Sequence, residues 1–170
     1  KAAPAFSMET IEKKPVNNAE LAKSPATILD FFAVNCGFCK KQIPRLEEVR
    51  KKYADKGVRF ITVAEKMRQD YTLEQVQDTL KGLNFAGELV MDMENKWGQA
   101  FNATGFPTMI VLGKSGNVEA INSGNMADLE TRLGDAREAL DSGGGPALLA
   151  ALVFLGRFAG SALRAPHEEE

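Results

Sequence analysis

The sequence predicts an α/β fold, a central mixed β-sheet flanked by helices, and three observations predict it. The run TILDFFAV from Thr27 is continuously apolar apart from Asp30, as a central strand buried on both faces is. Strand-like and helix-like segments then alternate through VRFITVAE, TLEQVQDTLKGL and ELVMD. The alternation closes on a hairpin and a further helix, which gives one sheet strands of both directions.

Taken in order, the first block, APAFSMETIEKKPVNNAEL, alternates short apolar positions with turn formers, as a small hairpin leading into a short helix does. After the central strand, CGFCKKQIPRLEEVRKKYADKG places Phe38, Ile43, Leu46, Val49 and Tyr53 at helical spacing. Gly57 reads as the stop, and Pro44 is expected to kink the helix. VRFITVAE is a second buried strand, and in the helix that follows Leu73, Val76 and Leu80 share a face. ELVMD is a short strand and ENKWGQAFNA a short helix, with Met91, Met93 and Trp97 read as core. MIVL and VEAI then form a hairpin about Lys114-Ser115-Gly116-Asn117, followed by the helix ADLETRLGDAREAL.

At 170 residues with 44% hydrophobic content, the chain is long enough for one proper core. The formal charge of −2, with cations scattered among acids, offers no field for a polyanion, so nucleic acid is not an expected partner. A start at Lys1, without Met or an apolar signal core, fits a chain that has lost a targeting segment or been trimmed.

The end of the chain changes character. Residues 146 to 165 contain no Lys, Asp, Glu, Asn, Ile, Met or Thr, and they follow Ser142-Gly143-Gly144-Gly145. The division is therefore a domain over 1–141, a Gly-rich linker over 142–146 and an appended segment over 147–170. As a helix that segment is amphipathic, with an apolar run too short to span a bilayer. It reads either as a helix that lies at a membrane surface, or in a groove on this chain or a second copy, or as a vector-derived or fused addition.

The two cysteines, Cys36 and Cys39, stand three apart at the junction of the central strand and its helix. A cysteine at a helix N-terminus faces unpaired N–H groups and the positive end of the macrodipole, which stabilise its thiolate. Cys36 is thus the expected nucleophile, and Cys39, one turn on, the resolving thiol. Zinc would need four ligands, and the chain has no second CxxC and a single histidine, His167, in the tail. The same shortage of histidine disfavours a cysteine–histidine hydrolase. A purely structural disulfide closing so short a loop would remove little unfolded-state entropy.

The segment ILDFFAVNCGFCK, Pro44 five residues past Cys39, and GFPTMIVLGKSGNV together resemble the thioredoxin superfamily over roughly residues 3 to 140. The longer block between VRFITVAE and GFPT, with its extra helix and strand, is similar to the TlpA-like and ResA-like branch, whose members are membrane-tethered or secreted bacterial proteins. The resemblance implies a thioredoxin-like fold, a periplasmic or otherwise extracytoplasmic location and a cis bond before Pro107. It also implies that Phe106, Pro107 and Thr108 lie against the dithiol and meet the substrate chain, alongside Asn35, Gly37 and Phe38. Asn35 stands where the family usually carries Trp, and Phe38 where thioredoxin has Pro.

A carboxylate inside TILDFFAV is costly to bury unless it is used. Asp30 stands six residues before Cys36 and matches the buried aspartate of thioredoxin, which implies that it accepts the Cys39 proton through water. Glu65, at the end of ITVAE, looks like a glutamate that ResA-like proteins place beside their dithiol. If both carboxylates approach the cysteines, they raise each other's pKa and those of the thiols, which favours a reductant.

The expected function is disulfide exchange with protein substrates, without a bound cofactor or metal, in cytochrome c maturation or periplasmic thiol homeostasis. The electron donor is not specified by the sequence. The alternatives are a non-enzymatic thioredoxin-like peptide-binding scaffold and a thiol peroxidase of the peroxiredoxin group. The peroxidase nucleophile normally follows Pro and Thr, and FFAVNC offers neither.

Overall fold

A small antiparallel hairpin, β1 (Ser7–Glu9) and β2 (Pro15–Asn17), opens the chain and runs directly into the short helix α1 (Asn18–Leu21). The Asn17 side chain accepts from the Glu20 amide at 2.9 Å and so starts that helix. Residues 1–123 are described in this computed structural model, and the helix expected over 127–140, the domain end at 141, the linker and the appended segment lie outside them.

The apolar run becomes β3 (Ala26–Phe32), buried at every position, and α2 (Gly37–Tyr53) follows it. Helix α2 continues unbroken through Pro44, which removes the amide that would donate to the Lys40 carbonyl. A 3₁₀ turn over Ala54–Lys56 ends on Gly57, whose φ of 79° is the left-handed cap a glycine accepts without strain. Then come β4 (Arg59–Glu65), α3 (Leu73–Gly82), β5 (Glu88–Asp92), α4 (Lys96–Ala100), β6 (Thr108–Gly113) and β7 (Val118–Ser123). A capping box between Thr72 and Gln75 begins α3.

The main sheet has the order β5-β4-β3-β6-β7, with β3, β4 and β5 parallel and β6 and β7 antiparallel to their neighbours. It is the mixed sheet the alternation predicts. Side-chain alternation divides its contacts between two cores. Leu29, Phe31, Ile61, Val63, Val90, Ile110 and Leu112 face one, shared with Phe6, Met8 and Phe101. Phe32, Ala64 and Leu89 face the other, shared with Ile43 of α2, Val76 and Leu80 of α3, and both cysteines.

Two apolar positions depart from the expected faces. Leu73 is 40% exposed, because the covered stripe of α3 runs through Val76, Leu80 and half-buried Leu83, and Leu73 lies one turn before it. Phe38, in the first turn of α2, is 50% exposed. Trp97 packs on the first core, and Met91 and Met93 pack on the second. The N-terminal arm is tied to the sheet by bonds that include Ile11 N–H donating to the Leu89 carbonyl of β5 and Val118 N–H to the Lys1 carbonyl. Among the described residues, no helix is long and apolar enough to cross a membrane.

Candidate active site

The dithiol lies where β3 hands over to α2. After Phe32 the chain turns sharply, with Cys36 N–H donating to the Ala33 carbonyl at 3.0 Å. This turn makes Cys36 the N-cap of α2 in an extended conformation, and its Sγ accepts from the Cys39 amide at 3.1 Å. A first-turn amide aimed at sulfur stabilises negative charge there, and so does the macrodipole behind it. Cys36 and Cys39 are joined as a disulfide across a Cα separation of 5.3 Å. Cys36 is 5% exposed and Cys39 1%, so the first sulfur is the one nearer the surface.

The Phe106–Pro107 peptide is cis. Pro107 is buried, while Phe106 is half-buried and packs against both cores, bridging the end of the sheet. Thr108 is fully buried, and its hydroxyl is committed: Oγ1 donates to the Gly105 carbonyl at 2.6 Å and lies 3.0 Å from Ser123 Oγ. Its side chain therefore holds the proline loop and is not presented to a substrate. Gly37 and Phe38 are exposed beside Cys36, with the Lys41 ammonium 5.7 Å from the Phe38 ring centroid. Asn35 is exposed too, but its Nδ2 donates to the Met67 carbonyl at 2.7 Å, fastening the β4–α3 loop to the flank of the dithiol. The same loop is clasped by Asn95, which donates to the Lys66 carbonyl and accepts from the Lys66 amide, both at 2.9 Å.

Asp30 is 3% exposed and faces the side of the sheet that carries the cysteines, flanked in register by Thr62 and Met109. Burial pushes its carboxyl up from the ordinary 3.8 to about 7, against the lowering effect of Gln42, whose Nε2 donates to Asp30 Oδ1 at 2.8 Å. Gln42 is itself 5% exposed.

Glu65 is buried as deeply but on the opposite face. Its strand partner is Asp92 of β5, and Ile61, Val63 and Glu65 alternate onto the first core. Its Oε1 accepts from the Gly98 amide at 2.6 Å. Burial, followed by its hydrogen bond to Asp92, pushes the Glu65 carboxyl up to about 8. Asp92 in turn accepts from the amides of Lys96 at 3.1 Å and Trp97 at 2.7 Å, capping α4. A Cβ at position 98 would sit 2.8 Å from Glu65 Cδ, so only glycine admits the carboxyl there. Asp30 and Glu65 are thus not brought together. The first lies on the side of the sheet against which the cysteines pack, and the second is half of an acid pair with Asp92.

Sequence reasoning passed over Gln42, Asp92 and Gly98. A polar residue one turn past Cys39, on the stripe that includes Ile43 and Leu46, was the available signal for Gln42. The Asp four residues ahead of Lys96 was the signal for a helix cap.

A helix-capping dithiol on a thioredoxin-like sheet that also carries a cis-proline defines a thiol–disulfide oxidoreductase, and the pairing of Cys36 with Cys39 shows both sulfurs within bonding reach. The chain belongs to the AhpC/TSA family, whose model matches residues 1–121. Sporulation thiol-disulfide oxidoreductase A of Bacillus subtilis (strain 168) is 26% identical over 126 residues, covering 74% of this chain and 74% of that protein. Thioredoxin-like protein YneN of the same organism is 28% identical over 132 residues, covering 75% and 73%. Among solved structures, a thiol:disulfide interchange protein of the thioredoxin family from Chlorobium tepidum TLS matches with a TM-score of 0.61 and 30% identity, over 77% of this chain and 92% of that one. StoA from Bacillus subtilis shares the fold with a TM-score of 0.62 at 24% identity, over 77% and 96%.

Proposed function

We propose that the chain reduces disulfides in protein substrates outside the cytoplasm. In one turn, the Cys36 thiolate attacks a substrate disulfide and forms a mixed disulfide. The buried Cys39 thiol then gives its proton to Asp30 and attacks Cys36 Sγ, so the Cys36–Cys39 bond forms as the substrate thiol leaves. Phe106 and Pro107 border the segment that docks, and exposed Gly37 and Phe38 form the other lip.

The observation that carries the reductive direction is Asp30 on the dithiol's own face of the sheet. A carboxylate there disfavours the neighbouring thiolates and opposes the acidifying helix terminus, and a thiol held at higher pKa parts with electrons more readily. The extracytoplasmic setting is supported by the similarity to the ResA-like branch, and a fold neighbour from Mycobacterium tuberculosis is described as secreted. A reductive role such as cytochrome c maturation or periplasmic thiol homeostasis is the setting proposed for this chain.

The test is insulin reduction by wild type, Cys36→Ser and Cys39→Ser, with the reduction potential measured alongside. Wild type is expected to be active with a potential near thioredoxin's, about −270 mV. Cys36→Ser should be silent, and Cys39→Ser should accumulate a mixed disulfide with substrate. A potential near about −120 mV would mark an oxidant and refute the proposed direction.

A further inference from the structure

The buried pair made by Asp30 and Gln42 reaches beyond that reading. Gln42 lies three residues after Cys39, one turn along α2, and both are buried on the helix face turned to the sheet. A buried glutamine on this stripe would be an unsatisfied amide without a partner, and its partner is Asp30 Oδ1 at 2.8 Å. Each carboxyl has two oxygens, and an amide N–H donates better to the oxygen that carries no proton, the stronger acceptor of the two. The proton that Asp30 takes up therefore belongs on its other oxygen, Oδ2.

We propose that Gln42 is the positioning residue of the resolving step: its carboxamide holds Asp30 by Oδ1 and leaves Oδ2 to receive the proton of Cys39. The inference rests on the reading of Asp30 as the proton acceptor. Because an amide does not ionise, Asp30 titrates on this face without a neighbouring acid among the described residues. Its cross-strand neighbours are Thr62 and Met109, and α2 presents Cys39, Gln42 and Ile43. Glu47, further along α2, is engaged by Arg50, and Glu65 lies across the sheet with Asp92. The hydrogen bond also favours the ionised carboxylate over the acid. Gln42 thus both aims the acceptor and keeps part of it ionised near neutral pH.

The experiment follows the two halves of the reaction separately. Pre-reduced protein is mixed with the aromatic disulfide dithiobis(nitrobenzoate) in a stopped-flow instrument. Attack by Cys36 forms a mixed disulfide and releases one coloured thiolate. Proton transfer from Cys39 to Asp30, followed by attack of its thiolate on Cys36 Sγ, closes the Cys36–Cys39 bond and releases the second. Two electrons pass from the dithiol to the reagent.

The rate of the second release is recorded against pH for wild type, Gln42→Met, Gln42→Glu and Asp30→Asn, with the first phase as internal reference. Gln42→Met removes the donor at similar volume. Its inflection should move up by about one unit, slowing the second phase about fivefold at pH 7. Gln42→Glu, a check should the methionine variant misfold, should also move the inflection up, since two carboxyls then share one proton. Asp30→Asn should lose the inflection. A purely structural glutamine would leave its pH position unmoved. Wild-type inflections in both Gln42 variants, with the inflection lost in Asp30→Asn, would overturn the role of Gln42 and leave that of Asp30 standing. An inflection retained in Asp30→Asn would overturn both.

Discussion

Replacing Asp30 with Asn deletes an ionisable group yet keeps an oxygen for the Gln42 amide, so the substitution isolates the cost of burying a carboxyl. In the folded chain this group titrates at about 7, and the ordinary value is 3.8. Below the lower value it is protonated in both folded and unfolded chains and costs nothing. Between the two, the unfolded chain sheds the proton freely while the folded chain holds it, so the contribution to stability falls as pH rises and levels off above the folded value. The separation is about three units, which at 1.36 kcal/mol per unit makes the loss on the order of 4 kcal/mol at and above pH 7. The assay is urea unfolding of the oxidised proteins at pH 4, 6 and 8. Asp30→Asn should lie within about 1 kcal/mol of wild type at pH 4 and exceed it by about 4 kcal/mol at pH 8. That gap corresponds to a midpoint shift of roughly 1.5 M urea or more. Glu65 is present in both proteins and cancels from the difference. A gap of equal size at pH 4 and pH 8 would refute the reasoning, because an uncharged packing effect has no such pH dependence.

Two further outcomes are expected on the other face of the sheet. Glu65→Gln mimics the protonated acid, keeping an acceptor for the Gly98 amide and a donor for Asp92. It should remove the Glu65 share of the loss of stability that wild type shows as pH rises between about 4.5 and about 8, leaving the Asp30 share, measured as the pH profile of the thermal midpoint. A profile parallel to wild type would contradict the acid pair. Gly98→Ala forces a methyl group into the Glu65 carboxyl and should cost about 1–3 kcal/mol in chemical unfolding, much of it recovered when Glu65 is shortened to Ala in the same chain. Additive losses in the double variant would show that the two residues do not meet.

Much of the fold was legible because its signals are local. An unbroken apolar run is what a strand buried on both faces needs, and ATILDFF takes that place at the centre. The dithiol and the helix it caps follow from a motif a few residues long, and the cis bond before Pro107 is what the family resemblance implies. The orientation of Glu65 was not legible, and the reason is geometric. Strands buried on both faces carry no alternation that fixes their register. Only the observed pairing of Asp30 with Thr62 puts Glu65 three residues further along β4, an odd step that turns it to the far side. Gln42 was missed for a related reason, since a polar residue on an apolar helical stripe is identified by its depth and its partner, and both require the fold. The reading of Thr108 as a substrate contact rests on the resemblance alone, which carries no sign that its hydroxyl is engaged by Gly105 and Ser123.

The division of the two carboxyls by the sheet has a consequence for how the protein answers acidity. Asp30 shares its compartment with sulfur chemistry, whereas Glu65 shares its own with the cap of α4 and no cysteine. A single layer of backbone separates the two carboxyls, so the Glu65 share of the acid response of folding is adjustable apart from the sulfurs, whereas Asp30 carries both a folding and a redox response. Drift or engineering can retune the redox face for a new compartment without touching the latch on the far side, and can stiffen that latch without changing the reactivity of the sulfurs.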